Sequence, residues 1–227
     1  MILKANLHLH TADGKKERRE HIRYNIYEAI DCAQELGFKV LAITCHQKAA
    51  FKKEMDLYAQ KQGILLIPGI EAKIERRHTV ILNCLEDVEK IKTFNELRYY
   101  KKEHPEIFIL APHPFFPLGH SLKNKLEKNI DIFDAIEHSW YWTKKINYNK
   151  RAKEIAQKYN KPYMGTSDTH FLNYLNTTFC LIESEDITIE NILKSLKNKN
   201  FENKSFPLTF WQMFKVGCQL FINHFKW

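Results

Sequence analysis

Leu7-His8-Leu9-His10-Thr11 places two imidazoles one residue apart in an apolar segment. In a strand both rings project from the same face, roughly 7 Å apart, because side chains alternate along an extended chain. Two such rings can clamp one metal ion from one side. A lone His-x-His is more often two surface histidines. Here, however, the same donor chemistry recurs at Cys45-His46, Glu71, His78, His113 and Asp168-Thr169-His170, each at or just past the end of an apolar run. The chain holds eleven histidines, and His is both the commonest transition-metal ligand and the side chain that exchanges protons near neutral pH. The residue types point to a metalloenzyme.

These donors need elements to bring them together. Residues 2–7 read as a strand, and 17–37 as a helix with Ile22, Ile26, Ala29, Ile30, Ala33 and Leu36 at three- and four-residue steps and Gly37 as its stop. A strand over 38–44 delivers Cys45-His46, a helix over 48–62 ends at Gly63, and the nearly continuous apolar run 64–70 leads to Glu71; such runs suit strands buried on both faces. Further strands are expected over 78–83, 106–111, 132–138, 162–165 and 178–182, with helices over 86–103, 121–129, 144–160 and 188–198. Regular alternation of this kind predicts a parallel sheet with crossover helices, doubly wound or closed into a barrel. Donors at the ends of five or six strands favour the barrel, whose strand ends converge on one mouth. An open sheet would offer only its switch point. No glycine-rich phosphate loop is present, which argues against a nucleotide-cofactor fold.

At 227 residues the chain suits one domain with its own core. We divide it into a barrel over 1–200 and an apolar tail over 201–227. The formal charge of +8 favours anionic partners without choosing among phosphate esters, nucleic acid and lipid headgroups. Five widely spaced cysteines without a CxxC pair fit a reducing compartment, and the sequence before the first histidines has no signal-peptide pattern, so a cytoplasmic protein is expected.

The order His-x-His-Thr, Thr-x-His, Gly-x-Glu, a following His, His-Pro and Ser-Asp-x-His resembles the PHP family, named for polymerase and histidinol phosphatase, over nearly the whole of residues 1–185. The resemblance implies an α/β fold, a distorted (β/α)7 barrel with two or three divalent ions at the C-terminal mouth of the strands. His8, His10 and Asp168 would hold one ion, and Glu71 would bridge it to a second held by His78 and His113. His46 and His170 would form a third site. Mixed imidazole and carboxylate donors select Zn²⁺, Mn²⁺ or Fe²⁺ over Mg²⁺. Two positions depart from the family pattern. Cys45 stands where an Asp is common, and Lys15 and Lys16 stand where a further ligand is expected after His10, leaving Asp13 as a third-site ligand or a simple turn residue.

The implied activity is metal-dependent hydrolysis of a phosphoester, a small-molecule or nucleotide phosphomonoester, by a metal-bound hydroxide in a multinuclear site. Glu71 and Asp168 would be the central catalytic carboxylates. His138 either protonates the leaving group or lines the mouth, and Glu137 either orients a ligand or touches substrate. Arg18, Arg19, Arg76 and Arg77 are candidates to grip the phosphate. The alternatives are a nuclease acting on nucleic-acid ends, to which Phe115, Phe116, Trp140, Tyr141, Trp142, Phe171 and Tyr174 could offer stacking surfaces, or a degenerate metal-binding scaffold. The tail from Phe206 to Trp227 is apolar with polar interruptions and too short and polar for a convincing membrane span. It is read as a helix that packs on the barrel, pairs with a second subunit or lies on a membrane surface.

Overall fold

The apolar runs of the sequence become strands of a single nine-stranded sheet in the computed structural model, which describes residues 1–19 and 22–225. Lys226 and Trp227, the end of the apolar tail, lie outside the described residues. The strands are β1 (Ile2–Leu9), β2 (Val40–Ile43), β3 (Leu65–Ile74), β4 (Arg77–Leu82), β5 (Phe108–Ala111), β6 (Ala135–Ser139), β7 (Tyr163–Thr166), β8 (Thr178–Glu183) and β9 (Phe201–Ser205), and the helices are α1 (Lys15–Arg19), α2 (Ile26–Glu35), α3 (Lys53–Lys61), α4 (Phe94–Glu103), α5 (Asn124–Lys128), α6 (Asn149–Lys158), α7 (Ile189–Lys197) and α8 (Phe210–Phe225). The sheet runs β7-β6-β5-β4-β3-β2-β1-β8-β9 and curls into a nearly closed barrel.

The gap between β7 and the β8–β9 edge is bridged by a side chain. Gly165 N–H donates to Asn203 Oδ1 at 2.6 Å, while Asn203 Nδ2 donates to the Tyr163 carbonyl at 2.7 Å. The approach demands glycine, since a Cβ at Gly165 would lie 3.0 Å from Thr178 Cγ2. Asn203 thus satisfies β7 backbone groups that a ladder would otherwise pair.

The expected all-parallel sheet is corrected to a mixed one. β1–β2, β2–β3, β5–β6 and β6–β7 are parallel, but β3–β4, β4–β5, β1–β8 and β8–β9 are antiparallel. β3 and β4 are joined by only Glu75 and Arg76, both at positive φ (45° and 66°), and so tight a connection permits only an antiparallel hairpin. The helix expected over 17–37 is two pieces: α1, then α2, which is started by Asn25 and Glu28 in a reciprocal capping box. The expected 86–103 helix likewise splits, a short 3₁₀ turn giving way to α4 at the Thr93 cap. The sheet also continues past residue 200, β9 pairing with β8.

Along β1 the pairing to β2 shifts between Asn6 and Leu9. Leu3, Ala5 and Leu7 pack with Val40, Ala42, Val80 and Leu110 in one apolar cluster, whereas Leu9 packs with Leu41, Ile43 and the buried faces of α2 and α3 in another. The bulge therefore reverses the alternation at the end of β1 and leaves His8 and His10 on the face opposite Leu9. Ile192, Leu193 and Leu196 of α7 join the first cluster from the far end, where β8 ends beside the start of β1.

Helix α8 and the segment before it lie against the Trp140–Trp142 segment. Leu208, Met213 and Val216 bury against Trp140 and Tyr174, and Tyr141 Oη donates to the Met213 carbonyl at 2.8 Å. Phe210, Trp211 and Phe214 remain exposed. Among the described residues no helix is long and apolar enough to cross a membrane.

Candidate metal centre

The donors singled out in the sequence converge at the C-terminal ends of β1, β2, β3, β5 and β7, with β4 contributing near its start. His8 Nε2 lies 3.1 Å from His10 Nε2 and 3.5 Å from Asp168 Oδ1, and His10 Nε2 lies 3.2 Å from the same oxygen. Donors bound at about 2.1 Å to one ion sit about 3.0–3.4 Å apart in octahedral or tetrahedral arrangements, so these separations fit a shared cation. Glu71 sits at the centre. Its Oε1 is 2.8 Å from His78 Nδ1, 3.1 Å from His113 Nε2 and 3.6 Å from His8 Nε2, while its Oε2 is 2.9 Å from His46 Nε2 and 3.6 Å from His10 Nε2. His46 reaches this carboxylate because residue 46 forms an isolated parallel bridge with Glu71.

Two buried carboxylates behind the rings fix how they point. Glu137 on β6 has Oε1 2.8 Å from His8 Nδ1, while its Oε2 accepts the His113 backbone N–H at 2.5 Å and its Oε1 also takes the Thr166 hydroxyl. Glu17 on α1 has Oε1 2.9 Å from His46 Nδ1 and 3.3 Å from His10 Nδ1, and accepts the His46 backbone N–H. His170 Nδ1 is 2.9 Å from the Asp168 carbonyl oxygen. In each case it is Nδ1 that is turned toward the oxygen, so a proton held there leaves Nε2 facing the centre, the usual way a carboxylate or carbonyl sets a metal-binding tautomer. Gly14 makes room for Glu17, whose Oε2 occupies the place a Cβ there would take.

Burial alone would raise the pKa of Glu71, but His78 and His46 hold its carboxyl well below the usual range; Asp168 is held down likewise by His8 and His170. Burial pushes His170 and His120 down to about 4, so both rings are neutral lone-pair donors at neutral pH. His113 goes the other way: burial disfavours its charged form, but the bond to Glu71 outweighs this and raises it to about 9. Glu71 Oε2, Asp168 Oδ1, Glu17 Oε2, His78 Nδ1 and His113 Nδ1 are buried without a hydrogen bond of proper geometry. Orphaned acceptors converging around a cavity of imidazoles are costly without a cation. The donor set fits divalent ions of the Zn²⁺, Mn²⁺ or Fe²⁺ kind. Asp168 and His113 hold φ of 41° and 29°, which costs on the order of 1–3 kcal/mol each for residues other than glycine and is characteristic of functional positions.

Four groups of three donors have all ligand atoms within 4.8 Å of one another: His8, His10, Asp168; His46, Glu71, His78; His10, His46, His170; and His78, His113, His120. The first is the trio that the resemblance assigns to one ion. The others partition the donors differently from the resemblance: His46 joins Glu71 and His78, His10 joins His46 and His170, and His120 stands beside His78 and His113. Glu17, also missed, has one readable signal, its place seven residues after His10, one beyond the position where the resemblance seeks a ligand.

The remaining residues singled out in the sequence stand outside the cluster of donors. Asp13 is a turn and capping residue: its Oδ2 accepts from Thr11 Oγ1 at 2.7 Å and from the Ile26 backbone N–H at 2.8 Å. His138 faces away from the centre because it neighbours the inward Glu137 on β6; its Nε2 is 3.0 Å from Ser205 Oγ and its ring packs by Trp142 and Tyr163. Arg18 is held by the Ala12 and Asp13 carbonyls and Arg77 by those of Gly119 and Ser121, so both tie loops together. Arg19 is exposed on α1, and Arg76 lies in the β3–β4 turn. Cys45 is fully buried beside Thr11, a packed neighbour. Trp140, Tyr141 and Tyr174 pack with the α8 region, and Phe115 lies under Arg151, 4.7 Å from its ring centroid.

The model of the PHP-associated family matches residues 147–201. Among solved structures, a two-domain protein from Bacteroides vulgatus containing a predicted PHP-like metal-dependent phosphoesterase superposes with a TM-score of 0.67 at 18% identity, covering 98% of this chain and 70% of that one. PsfC from Pseudomonas syringae superposes with a TM-score of 0.67 at 16% identity, with 98% of both chains covered. The lesion-specific endonuclease EndoQ from Pyrococcus furiosus matches at 0.62 and 16% identity, over 96% of this chain and 66% of that one. No curated protein matches the sequence. At these identities the likeness to the solved structures is one of fold, a distorted TIM-like barrel.

Proposed function

We propose that the chain is a metal-dependent phosphoesterase that hydrolyses a small-molecule or nucleotide phosphomonoester. The observation that carries this reading is Glu71, buried with its two oxygens facing different sets of imidazoles, His78 and His113 on one side and His46 on the other. A carboxylate so placed suits bridging two ions. Such ions, when bound, lower the pKa of a coordinated water and offset charge on the phosphate. Asp168, His8 and His10 would hold one of them, with Glu137 fixing the His8 tautomer. His10, His46 and His170, braced by Glu17, suit a third. Beside His170 a groove of about 560 Å³ is lined by Arg23, Tyr24, Glu28, Phe171 and Gln219, a size suited to a small organic ligand. It would receive the group esterified to the phosphate, with Arg23 as a phosphate contact. Five free thiols in the described chain suit a reducing cytoplasm.

The charge of +8 favours a second reading, cleavage at nucleic-acid ends. Purified protein reconstituted with Mn²⁺ or Zn²⁺ should release phosphate from members of a panel of phosphorylated metabolites, and Glu71→Gln and Asp168→Asn should abolish it. Turnover of end-labelled single strands with no metabolite hydrolysed would favour the second reading. Undiminished phosphate release by both variants would refute the site.

A further inference from the structure

The loop between β5 and α5 carries a histidine that the expected donor set leaves out. His120 sits seven residues after His113, and its ring stacks on His78 with centroids 3.9 Å apart and planes 19° apart; its centroid is 5.6 Å from that of His113. The donor atoms of the three rings lie within 4.8 Å of one another. The loop is pinned on both sides of it. The His78 N–H donates to the His120 carbonyl at 2.9 Å, Arg77 Nη1 donates to the Ser121 carbonyl at 3.0 Å and also to that of Gly119, and Lys123 N–H returns to the Pro114 carbonyl at 2.8 Å. Arg77 thus has a structural task beside the metal centre. Among the described residues the His120 ring makes no hydrogen bond; His113 Nδ1 is buried without one, and His78 Nδ1, 2.8 Å from Glu71 Oε1, has none of proper geometry. Three rings whose nitrogens converge without satisfying one another share a cation more readily than they share protons.

We propose that His120 is a fourth protein donor to the ion held by Glu71, His78 and His113, a role that rests on the metal-centre reading above. Three imidazoles and one carboxylate make up a full tetrahedral set, the arrangement Zn²⁺ favours. Mg²⁺ keeps several waters and prefers oxygen donors, so the added ring turns this position further against it. The ion here is then held mainly by protein, while the one at His8, His10 and Asp168 keeps the open positions.

The test is metal binding, read independently of turnover. Chelator-stripped full-length protein would be titrated with Co²⁺ and Zn²⁺, following the visible Co²⁺ spectrum and the bound stoichiometry, for the wild type, His120→Asn, His120→Asp and His113→Asn. His120→Asn should weaken one ion by at least the 10–100-fold that loss of even a supporting partner costs. It should also alter the Co²⁺ bands, leave the ion at His8, His10 and Asp168 unaffected, and melt with the wild type when metal-free. His120→Asp, which restores a donor, should recover part of the loss. Superimposable isotherms and Co²⁺ spectra for the wild type and both His120 variants would overturn the assignment, provided His113→Asn shows the loss. A wild type that binds no ion at all overturns the metal centre and this role with it.

Discussion

Replacing Glu137 by Gln changes one atom and removes one charge, yet it should cripple a centre that Glu137 does not itself enter. The carboxylate accepts three hydrogen bonds at once, from His8 Nδ1 at 2.8 Å, from the His113 backbone N–H at 2.5 Å and from the Thr166 hydroxyl. A glutamine has one acceptor oxygen. If that oxygen serves His113, the amide NH₂ opposes the His8 N–H, and His8 is driven toward the tautomer whose proton faces the ion. If it serves His8, the strained His113 backbone loses its anchor. Either way one charge-assisted hydrogen bond of about 1.5–3 kcal/mol is lost. At about 1.4 kcal/mol per factor of ten this is roughly 10–150-fold in affinity for the ion at His8, His10 and Asp168, in line with the 10–100-fold typical of outer partners of metal-bound histidines. Isothermal titration with Mn²⁺ and Zn²⁺, together with phosphate release at saturating metal, measures it. Because buried Glu137 carries no apolar packing role, the metal-free variant should still melt cooperatively. A Glu137→Gln protein that binds metal and turns over within about threefold of the wild type would refute the idea that carboxylate-set tautomers hold this centre together.

Three further outcomes follow from the same geometry. His138→Ala should leave metal affinity and turnover within about threefold of the wild type, because its ring faces Ser205, Trp142 and Tyr163 and its neighbour carries the site; a loss as large as that for Glu137→Gln would restore His138 to the mouth. Gly14→Ala should imitate Glu17→Gln, since the added methyl takes the place of the Glu17 carboxylate, and both should lower metal stoichiometry through His10 and His46 while sparing the ion at Glu71, His78 and His113. The third outcome concerns pH. In metal-free protein His113 keeps its proton to about pH 9 because its bond to Glu71 outweighs the burial that opposes its charge. Metal must displace that proton, so affinity should rise by up to about tenfold per pH unit between pH 7 and 9. Conversely, a raised folded pKa gives the metal-free protein a stabilisation complete below its ordinary 6.5 and lost through about 9. Melting of chelated protein across that range should show the fall, and a flat profile together with pH-independent affinity would contradict the His113–Glu71 pairing.

The strands and the histidines were legible because each is announced by a short-range signal. Apolar runs end at His46, Glu71 and His113, and a barrel is the simplest fold that gathers several strand ends. The orientation of β4 was not legible. Its hairpin turns on Glu75 and Arg76, both in the left-handed region, where Asn-Gly or Asp-Gly would ordinarily advertise the turn. Without that chemistry the segment reads as another parallel strand awaiting a crossover. The break between α1 and α2 was hidden for a related reason: Ile22 and Ile26 keep helical spacing across it, and only the Asn25 cap shows where α2 begins.

Glu17 escaped, and the role of Glu137 stayed open between orienting a ligand and touching substrate, for a deeper reason than missing turn residues. A metal ligand is visible in sequence as a donor at the end of an apolar run, but the group that orients it lies on another element at a distance set by the fold. Glu137 is 129 residues from His8 and Glu17 is 29 from His46. Strand alternation offers Glu137 and His138 as rival occupants of the interior, and histidine is the more suggestive residue type. The parity of β6 decides for Glu137. It is fixed by pairing in which Glu137 stands opposite Met164, a residue of the interior cluster. The β1 bulge makes the same point from the other direction. Unbroken alternation from Leu3, Ala5 and Leu7 would have carried Leu9 into the interior and both histidines out. One irregular residue pair between Asn6 and Leu9 is what converts a strand that buries leucines into one that presents ligands.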